Sequence, residues 1–307
     1  EPLPGTAPMS VTLAGAVRLA AEALRAAGLD DPMSEARRLV AAAAGVEPLA
    51  LVLAANHSLD TETIALIDGY TQRRSAREPL SRILGQRGFY GRDFFLSAGT
   101  LDPRPETEGL VDMVLGICSK PPWSGRAIEI LDVGTGTGAI LISLLAELPS
   151  ARGLGIDISA DALQTAGRNA ARHNVADRVK FVPCDVRNGL GHERTFAPPK
   201  YDFIVSNPPY ISSAELALLP PEVRLYDPAA ALDGGSDGLD FYRLLAASMA
   251  ALAPGGWMVM EIGAGQSGPV LDLLRAAAPD ASVRTAVDLA GHIRIVAIQP
   301  RPQSTGE

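Results

Sequence analysis

The sequence is short of several things that would mark whole classes of protein. Its two cysteines, Cys118 and Cys184, lie far apart and fit no zinc or redox spacing, so buried free thiols in a reducing compartment are expected. Aromatic residues make up only 5% of the chain, and lysine supplies only three of its 27 basic residues (Lys120, Lys180 and Lys200). That arginine skew reads as genome composition and carries no function. An excess of positive charge is also missing, since the formal net charge is -8. A protein that holds a nucleic-acid backbone usually presents a basic surface, because phosphate neutralisation supplies much of the affinity. Direct nucleic-acid binding is therefore not expected. No apolar run reaches the roughly 18 residues needed to span a bilayer, and the N-terminus lacks a charged-then-apolar signal pattern. The four histidines (His57, His173, His192 and His292) show no metal spacing. A soluble cytoplasmic protein follows, bound to neither membrane nor metal. No interface signature is visible, so a monomer is expected.

What is present is organised. Apolar residues make up 47% of 307 residues, enough for a small domain plus a larger one. After a Pro- and Gly-rich start, Leu13, Ala16, Val17, Ala20, Leu24 and Ala27 recur at helix spacing and Gly28 suits the stop. Asp31-Pro32 reads as N-cap plus first-turn proline of a second helix ending near Gly45. A short helix follows Pro48, and another starts at Asp60. Residues 1–84 thus form an all-α domain. Residues 85–100, rich in Gly and aromatics, read as a hairpin linker. The larger domain covers 101–300, with 301–307 as a tail. It opens on the proline-set turn Leu101–Glu106, where each proline fixes its own φ and restricts the residue before it. Seven β-like runs follow: Ile128–Val133, Gly153–Ile158, Val179–Cys184, Phe203–Ser206, Trp257–Ile262, Ser282–Val287 and Ile293–Ile298. Helical stretches separate the first six. Near-continuous apolar strands alternating with helices predict a parallel sheet covered on both faces. The last two runs are too close for a crossover, so the seventh strand should be antiparallel.

The chemistry gathers at predicted strand ends. Gly134-Thr135-Gly136-Thr137-Gly138 lies between the first strand and a helix that is apolar nearly all round. Glycines at such a turn let backbone N–H groups and a ligand approach closely. Asp157, about twenty residues on, fits an acid that holds ribose hydroxyls. Taken alone the loop also satisfies a dinucleotide fingerprint, so a nicotinamide cofactor remains open at this point. The third strand ends in Cys184-Asp185-Val186, where Asp185 could accept from an adenine amine. The fourth ends in Asn207-Pro208-Pro209-Tyr210, and no hydride-handling group accompanies it.

That tetrapeptide suits methyl transfer from S-adenosylmethionine to a planar nitrogen. Such a nitrogen shares its lone pair with a carbonyl or ring and is a poor nucleophile. Two acceptors, the Asn207 side-chain oxygen and the Pro208 carbonyl, can orient its N–H bonds and stabilise the positive charge that develops. The prolines stiffen the loop and offer no competing N–H. Tyr210 can stack on the planar group. Asn207, Pro208 and Tyr210 are accordingly the catalytic candidates. As a bare string the tetrapeptide is only a strand-ending turn; its place after an apolar strand gives it weight.

The chain resembles the HemK/PrmC family, methyltransferases that modify the glutamine of the Gly-Gly-Gln motif in peptide chain release factors. The resemblance runs through Pro79–Gly85, Phe89-Tyr90, Phe94, Thr100–Glu108, Leu131–Ile140, Val205–Ile211 and Val223–Tyr242. It implies an α/β fold: a seven-stranded, doubly wound, Rossmann-like methyltransferase domain preceded by a small all-α domain that helps grip the release factor. It implies S-adenosylmethionine contacts at Gly134, Thr135, Gly136, Thr137, Gly138, Asp157, Val186 and Asn207, joining Asp185 from the reading above. It implies a glutamine site at Asn207, Pro208, Pro209 and Tyr210, with Arg104 on the substrate side. Arg104–Glu108 is the most discriminating stretch, since nitrogen methyltransferases of nucleic acids share Asn-Pro-Pro-Tyr but rarely this. Asp102 and Asp227 depart from the family pattern, which expects an apolar residue and glutamate there.

Three rival readings are weaker. An adenine or guanine amino-methyltransferase would use the same four residues on a flipped base, but the acidic balance opposes it. The densest basic cluster (Arg73, Arg74, Arg77) reads as a solvated helix face. Gly234-Gly235-Ser236-Asp237-Gly238 formally matches a hydrolase nucleophile turn, which needs a strand before it; the residues preceding it read as loop. A binding protein without turnover would have no use for an intact Asn207.

Overall fold

The computed structural model describes residues 11–188 and 200–301. The Pro- and Gly-rich start, His192 and the tail beyond Arg301 lie outside the described residues. The chain divides between Gly85 and Gln86 into two compact units.

The first unit is helical: α1 (Leu13–Ala26), α2 (Pro32–Ala44), α3 (Ala50–Leu53), α4 (Thr61–Ser75) and α5 (Leu80–Leu84). Side-chain caps set its helix starts. Thr12 Oγ1 accepts the Gly15 N–H at 3.2 Å, Asp31 Oδ1 that of Ser34 at 3.3 Å, and Asp60 Oδ1 that of Thr63 at 2.7 Å. Each such cap is worth about 1 kcal/mol. Gly45 ends α2 at φ 64°, a left-handed turn that costs glycine nothing. Leu13, Leu24, Leu39, Val40 and Ile67 fill the core, and the Arg74–Glu35 pair, at 2.7 Å, ties α4 to α2.

The second unit opens with the hairpin β1 (Gln86–Phe89) and β2 (Arg92–Phe95). Tyr90 and Gly91 both have positive φ, 49° and 70°, the two-residue turn whose twist matches paired strands. Phe89 and Phe94 point into the core with ring centroids 6.1 Å apart, edge to face. A 3-10 turn at Pro105–Thr107 leads into α6 (Glu108–Cys118). Then follow β3 (Glu129–Val133), α7 (Ala139–Glu147), β4 (Arg152–Asp157), α8 (Ala160–Arg172), β5 (Val179–Pro183), β6 (Tyr201–Ser206), α9 (Pro221–Arg224), α10 (Asp240–Ser248), β7 (Leu252–Glu261), α11 (Ser267–Ala277), β8 (Ser282–Val287) and β9 (Ile293–Gln299). Between β5 and β6, where a helix was expected, the described residues hold only a 3-10 turn at Val186–Asn188, and residues 189–199 lie outside the description.

The seven strands form one sheet in the order β5-β4-β3-β6-β7-β9-β8. The first five in that order run parallel, and β9 is antiparallel to both its neighbours, as its short connection to β8 requires. Every residue of β6 is buried, which explains the apolar run Phe203–Val205 at its centre. The helix α7 is buried from Ala139 to Leu145. The register brings the strand ends to one edge: Val133 lies beside Ile156 and Ser206, Asp157 beside Pro183, and Ser206 beside Met260. Chain order reverses at β3, the switch point where open α/β sheets take ligands.

Candidate active site

The glycine loop is held by the neighbouring strand. Gly134 and Thr135 both donate their N–H to the Ile156 carbonyl at 2.9 Å, and Gly136 N–H donates to Asp157 Oδ2 at 2.9 Å. The turn needs φ of 72°, 55° and 79° at Gly134, Gly136 and Gly138, which is why three glycines stand at alternate positions. Gly155 in β4 lets the loop settle, since a Cβ there would lie 2.9 Å from Thr135 Oγ1. A Cβ on Gly134 would meet no protein atom within 4 Å.

Two acids stand beneath this loop. Asp132 is fully buried; Thr135 Oγ1 donates to its Oδ2 at 2.7 Å. Burial pushes its carboxyl up to about 7, against the Thr135 bond that pulls it down. Asp157 also accepts the Ser159 N–H, at 2.9 Å. Burial raises its carboxyl, and the N–H groups of Ser159 and Gly136 draw it back.

A cavity of about 500 Å³ opens at this edge, a size that takes a small-molecule ligand. Gly134, Thr135, Gly136, Thr137, Asp157, Asp185, Val186, Asn207, Pro208 and Pro209 all line it. Three of the residues singled out in the sequence do not. Gly138 lies under the loop, where a Cβ would press to 2.7 Å of Ile142 Cδ1. Tyr210 turns its hydroxyl toward Glu261, and Arg104 is engaged by the buried Asp227 at 2.5 Å. Asp185 stands in the wall with its carboxylate already gripped by Arg187, whose Nε donates to Oδ1 at 2.8 Å. That bond holds the Asp185 carboxyl below its usual range. The two acids that depart from the family pattern are both buried and both salt-bridged, Asp102 to Arg87 at 3.5 Å and Asp227 to Arg104. Among the described residues no group of His, Cys, Asp and Glu could hold a metal ion, and no helix is long and apolar enough to cross a membrane.

Sequence reasoning passed over a polar cluster beside Asn207. Glu261, at the end of β7, is fully buried. Thr107 Oγ1 donates to its Oε2 at 2.5 Å, and Asn207 Nδ2 donates to Thr107 Oγ1 at 3.1 Å. Arg294 Nη2 donates to Glu261 Oε1 at 3.3 Å and to the Tyr210 hydroxyl at 3.2 Å. Burial raises the Glu261 carboxyl, opposed by Thr107 and Arg294. Burial likewise pushes the Tyr210 phenol up to about 12, so it stays neutral. Gln266 Nε2 fixes the Tyr210 carbonyl at 2.9 Å. One signal was available: Glu261 is the lone charge closing the apolar run Trp257–Met260.

The glycines of Gly234–Gly238 pack against the Asn-Pro-Pro-Tyr backbone. A Cβ on Gly234 would stand 2.9 Å from the Pro209 carbonyl oxygen, and one on Gly238 2.5 Å from that of Tyr210. The formal resemblance to a hydrolase turn is thus a close backbone approach.

Residues 15–85 match the family model of the PrmC N-terminal domain, and residues 124–251 match a methyltransferase domain. The chain is 42% identical to the release factor glutamine methyltransferase of Caulobacter vibrioides, over 94% of this chain and 96% of that one. It is 43% identical to the protein of the same name from Cereibacter sphaeroides, over 92% and 96%. Among solved structures, the hMettl16 catalytic domain in complex with a 3'UTR hairpin is similar at a TM-score of 0.54 and 17% identity, over 77% of this chain and 84% of that one. At that identity the likeness is one of fold alone.

Proposed function

The chain belongs to the release factor glutamine methyltransferase family, and from that premise we propose that it methylates the side-chain amide nitrogen of the glutamine in the Gly-Gly-Gln motif of peptide chain release factors, using S-adenosylmethionine. The observation that carries the reading is the shared wall: Asn207, Pro208 and Pro209 line the same cavity as Gly134–Thr137 and Asp157. The open space over Gly134 supports a ligand bedded on the loop backbone. Gly134–Thr137, Asp157, Asp185 and Val186 would hold the cofactor, with Asp157 on the ribose hydroxyls. When bound, S-adenosylmethionine supplies a methyl group on a positively charged sulfur.

The chain's own residues do the rest. Asn207 Oδ1 and the Pro208 carbonyl accept the two N–H bonds of the glutamine amide and turn its lone pair toward the methyl donor. Orientation of this kind removes much of the barrier to an in-line displacement, and fixed dipoles stabilise the positive charge developing on nitrogen. Pro209, which lines the cavity beside Asn207 and Pro208, covers the planar group. No side-chain base is needed, because the methylated nitrogen becomes acidic and releases its proton to water. Arg104 acts on the substrate side through the loop that carries Asp227. The helical unit of residues 1–84 contributes to gripping the release factor, and the enzyme works as a cytoplasmic monomer without nucleic acid.

The test is methyl transfer from labelled S-adenosylmethionine to a purified release factor, with a Gln→Ala change in its Gly-Gly-Gln motif and structured nucleic acids as comparators. Label on the intact release factor alone is expected. Label on nucleic acid would keep the nitrogen chemistry and overturn the substrate.

A further inference from the structure

Glu261 and Thr107 have no part in the chemistry above, yet the geometry points to one. We infer that the buried Glu261 carboxylate, acting through the Thr107 hydroxyl, fixes which end of the Asn207 side-chain amide is offered to the substrate. Both are positioning residues for methyl transfer. The inference rests on the glutamine reading and deepens it.

The argument is a count of protons. A threonine hydroxyl has one hydrogen to donate and lone pairs to accept with. Thr107 Oγ1 lies 2.5 Å from Glu261 Oε2 and 3.1 Å from Asn207 Nδ2. The Arg294 guanidinium, with Nη2 3.3 Å from Glu261 Oε1, opposes the effect of burial and pairs Glu261 as the carboxylate. A carboxylate can only accept, so the Thr107 hydrogen goes to Glu261 in a charge-assisted bond, the strong kind. On its other side the hydroxyl can then only accept. Asn207 must turn its NH2 group to Thr107 and its Oδ1 away. An inverted amide would either set two acceptors face to face or draw the Thr107 hydrogen off a buried charge. Amide nitrogen and oxygen are told apart by such partners, and here one carboxylate decides both.

The carboxylate is itself fixed. Its Oε1 accepts from Arg294 Nη2 at 3.3 Å, and Arg294 is anchored by its Nε to the Ile262 carbonyl at 2.9 Å. The Tyr210 hydroxyl lies at 3.4 Å from the same oxygen. Glu261 is wholly shut off from solvent and Thr107 nearly so. Thr107 and Asn207 both line the cavity, and none of the hydrogen bonds among the described residues engages Asn207 Oδ1. A glutamine amide presents two N–H donors and no free acceptor on nitrogen. An Asn207 that offered Nδ2 would meet it donor to donor, and the lone pair would lose its orientation even while the substrate stayed bound.

The test compares Thr107→Val, which deletes the hydroxyl and keeps the shape, with Thr107→Ser, which keeps the hydroxyl. For Thr107→Val, kcat on release factor should fall about 10- to 100-fold, with KM and the affinity for S-adenosylhomocysteine within about three-fold. Thr107→Ser should restore kcat to within about three-fold of the parent. Thr107→Val also strands a buried charge, so the double variant Thr107→Val/Glu261→Gln is made alongside it. Since both changes cut one chain, the double variant should lose no more kcat than Thr107→Val alone. A Thr107→Val enzyme with parental kcat would overturn the inference. So would equal losses in kcat and in binding, or a Thr107→Ser enzyme as slow as Thr107→Val. A parent enzyme that labels no release factor would overturn the glutamine reading itself and this inference with it.

Discussion

Asp157 Oδ2 accepts the Gly136 N–H at 2.9 Å, which ties the middle of the glycine loop to the end of β4. One carboxylate therefore shapes the loop and, in the proposed reading, also faces the ribose of the cofactor. Asp157→Ala should weaken S-adenosylhomocysteine binding by about 10- to 100-fold, the worth of one or two hydrogen bonds to a charged group. Titration calorimetry measures this directly, and an unchanged affinity would refute the assignment.

Asn207 lines the same cavity and should separate the two ligands. Its side chain is assigned to the transition state, where the amide nitrogen gains charge. Asn207→Ala should lower kcat by about 100- to 1,000-fold, as loss of one preorganised polar partner does elsewhere. Cofactor affinity should change by no more than about three-fold, since the loop and Asp157 are untouched. Steady-state kinetics paired with cofactor binding gives both numbers, and equal losses in both would sink the catalytic role.

Asp132 makes stability depend on pH. Its carboxyl is raised by burial to about 7 in the folded protein, against about 3.9 in an unfolded chain. Between those values the folded state holds a proton that the unfolded chain has lost, so stability falls as pH rises. The stabilising contribution of the neutral acid is complete below about pH 4 and gone above about pH 7. Asp132→Asn keeps the shape and cannot ionise. Relative to the parent, it should gain on the order of a few kcal/mol between pH 4 and pH 8. Urea unfolding of both proteins at the two pH values checks it; a difference that stays constant would mean Asp132 does not titrate in this window.

Much of this was legible in the sequence because strand-end positions are local. Apolar runs of five or six residues announce the strands, and the residue closing each run falls on the sheet's ligand edge. Asp157, Asp185 and Asn207 were found that way. What escaped was pairing over long distances. Thr107 and Glu261 are 154 residues apart, and Arg104 and Asp227 are 123 apart; no periodicity links such pairs. Asp185 shows the same limit at short range. Its position in the wall was readable, but the rotamer that brings Arg187 onto its carboxylate was not. The glycines near Gly234 looked like a motif by accident, and only packed backbones reveal their use.

Gly234 gives the sharpest structural test of the substrate loop. Its N–H donates to the Ile211 carbonyl at 2.8 Å, and Ile211 N–H donates to the Leu232 carbonyl at 3.0 Å, so the two segments are clamped together. A Cβ at this position would lie 2.9 Å from both the Pro209 carbonyl oxygen and Tyr210 Cα. Those are backbone atoms, and no side chain can swing aside to make room. Gly234→Ala must therefore push the Pro209-Tyr210 backbone away, at an overpacking cost of about 1–3 kcal/mol. The displacement falls on the loop that carries the amide acceptors, where a shift of about 1 Å can cost about 100-fold in rate. The glycine loop at β3 is on another connection and should bind S-adenosylhomocysteine nearly as before. Thermal unfolding, cofactor titration and turnover measured on the one variant decide the matter. A protein that turns over normally despite the added methyl group would show that Pro209 and Tyr210 tolerate displacement, and would remove them from the positioned substrate site.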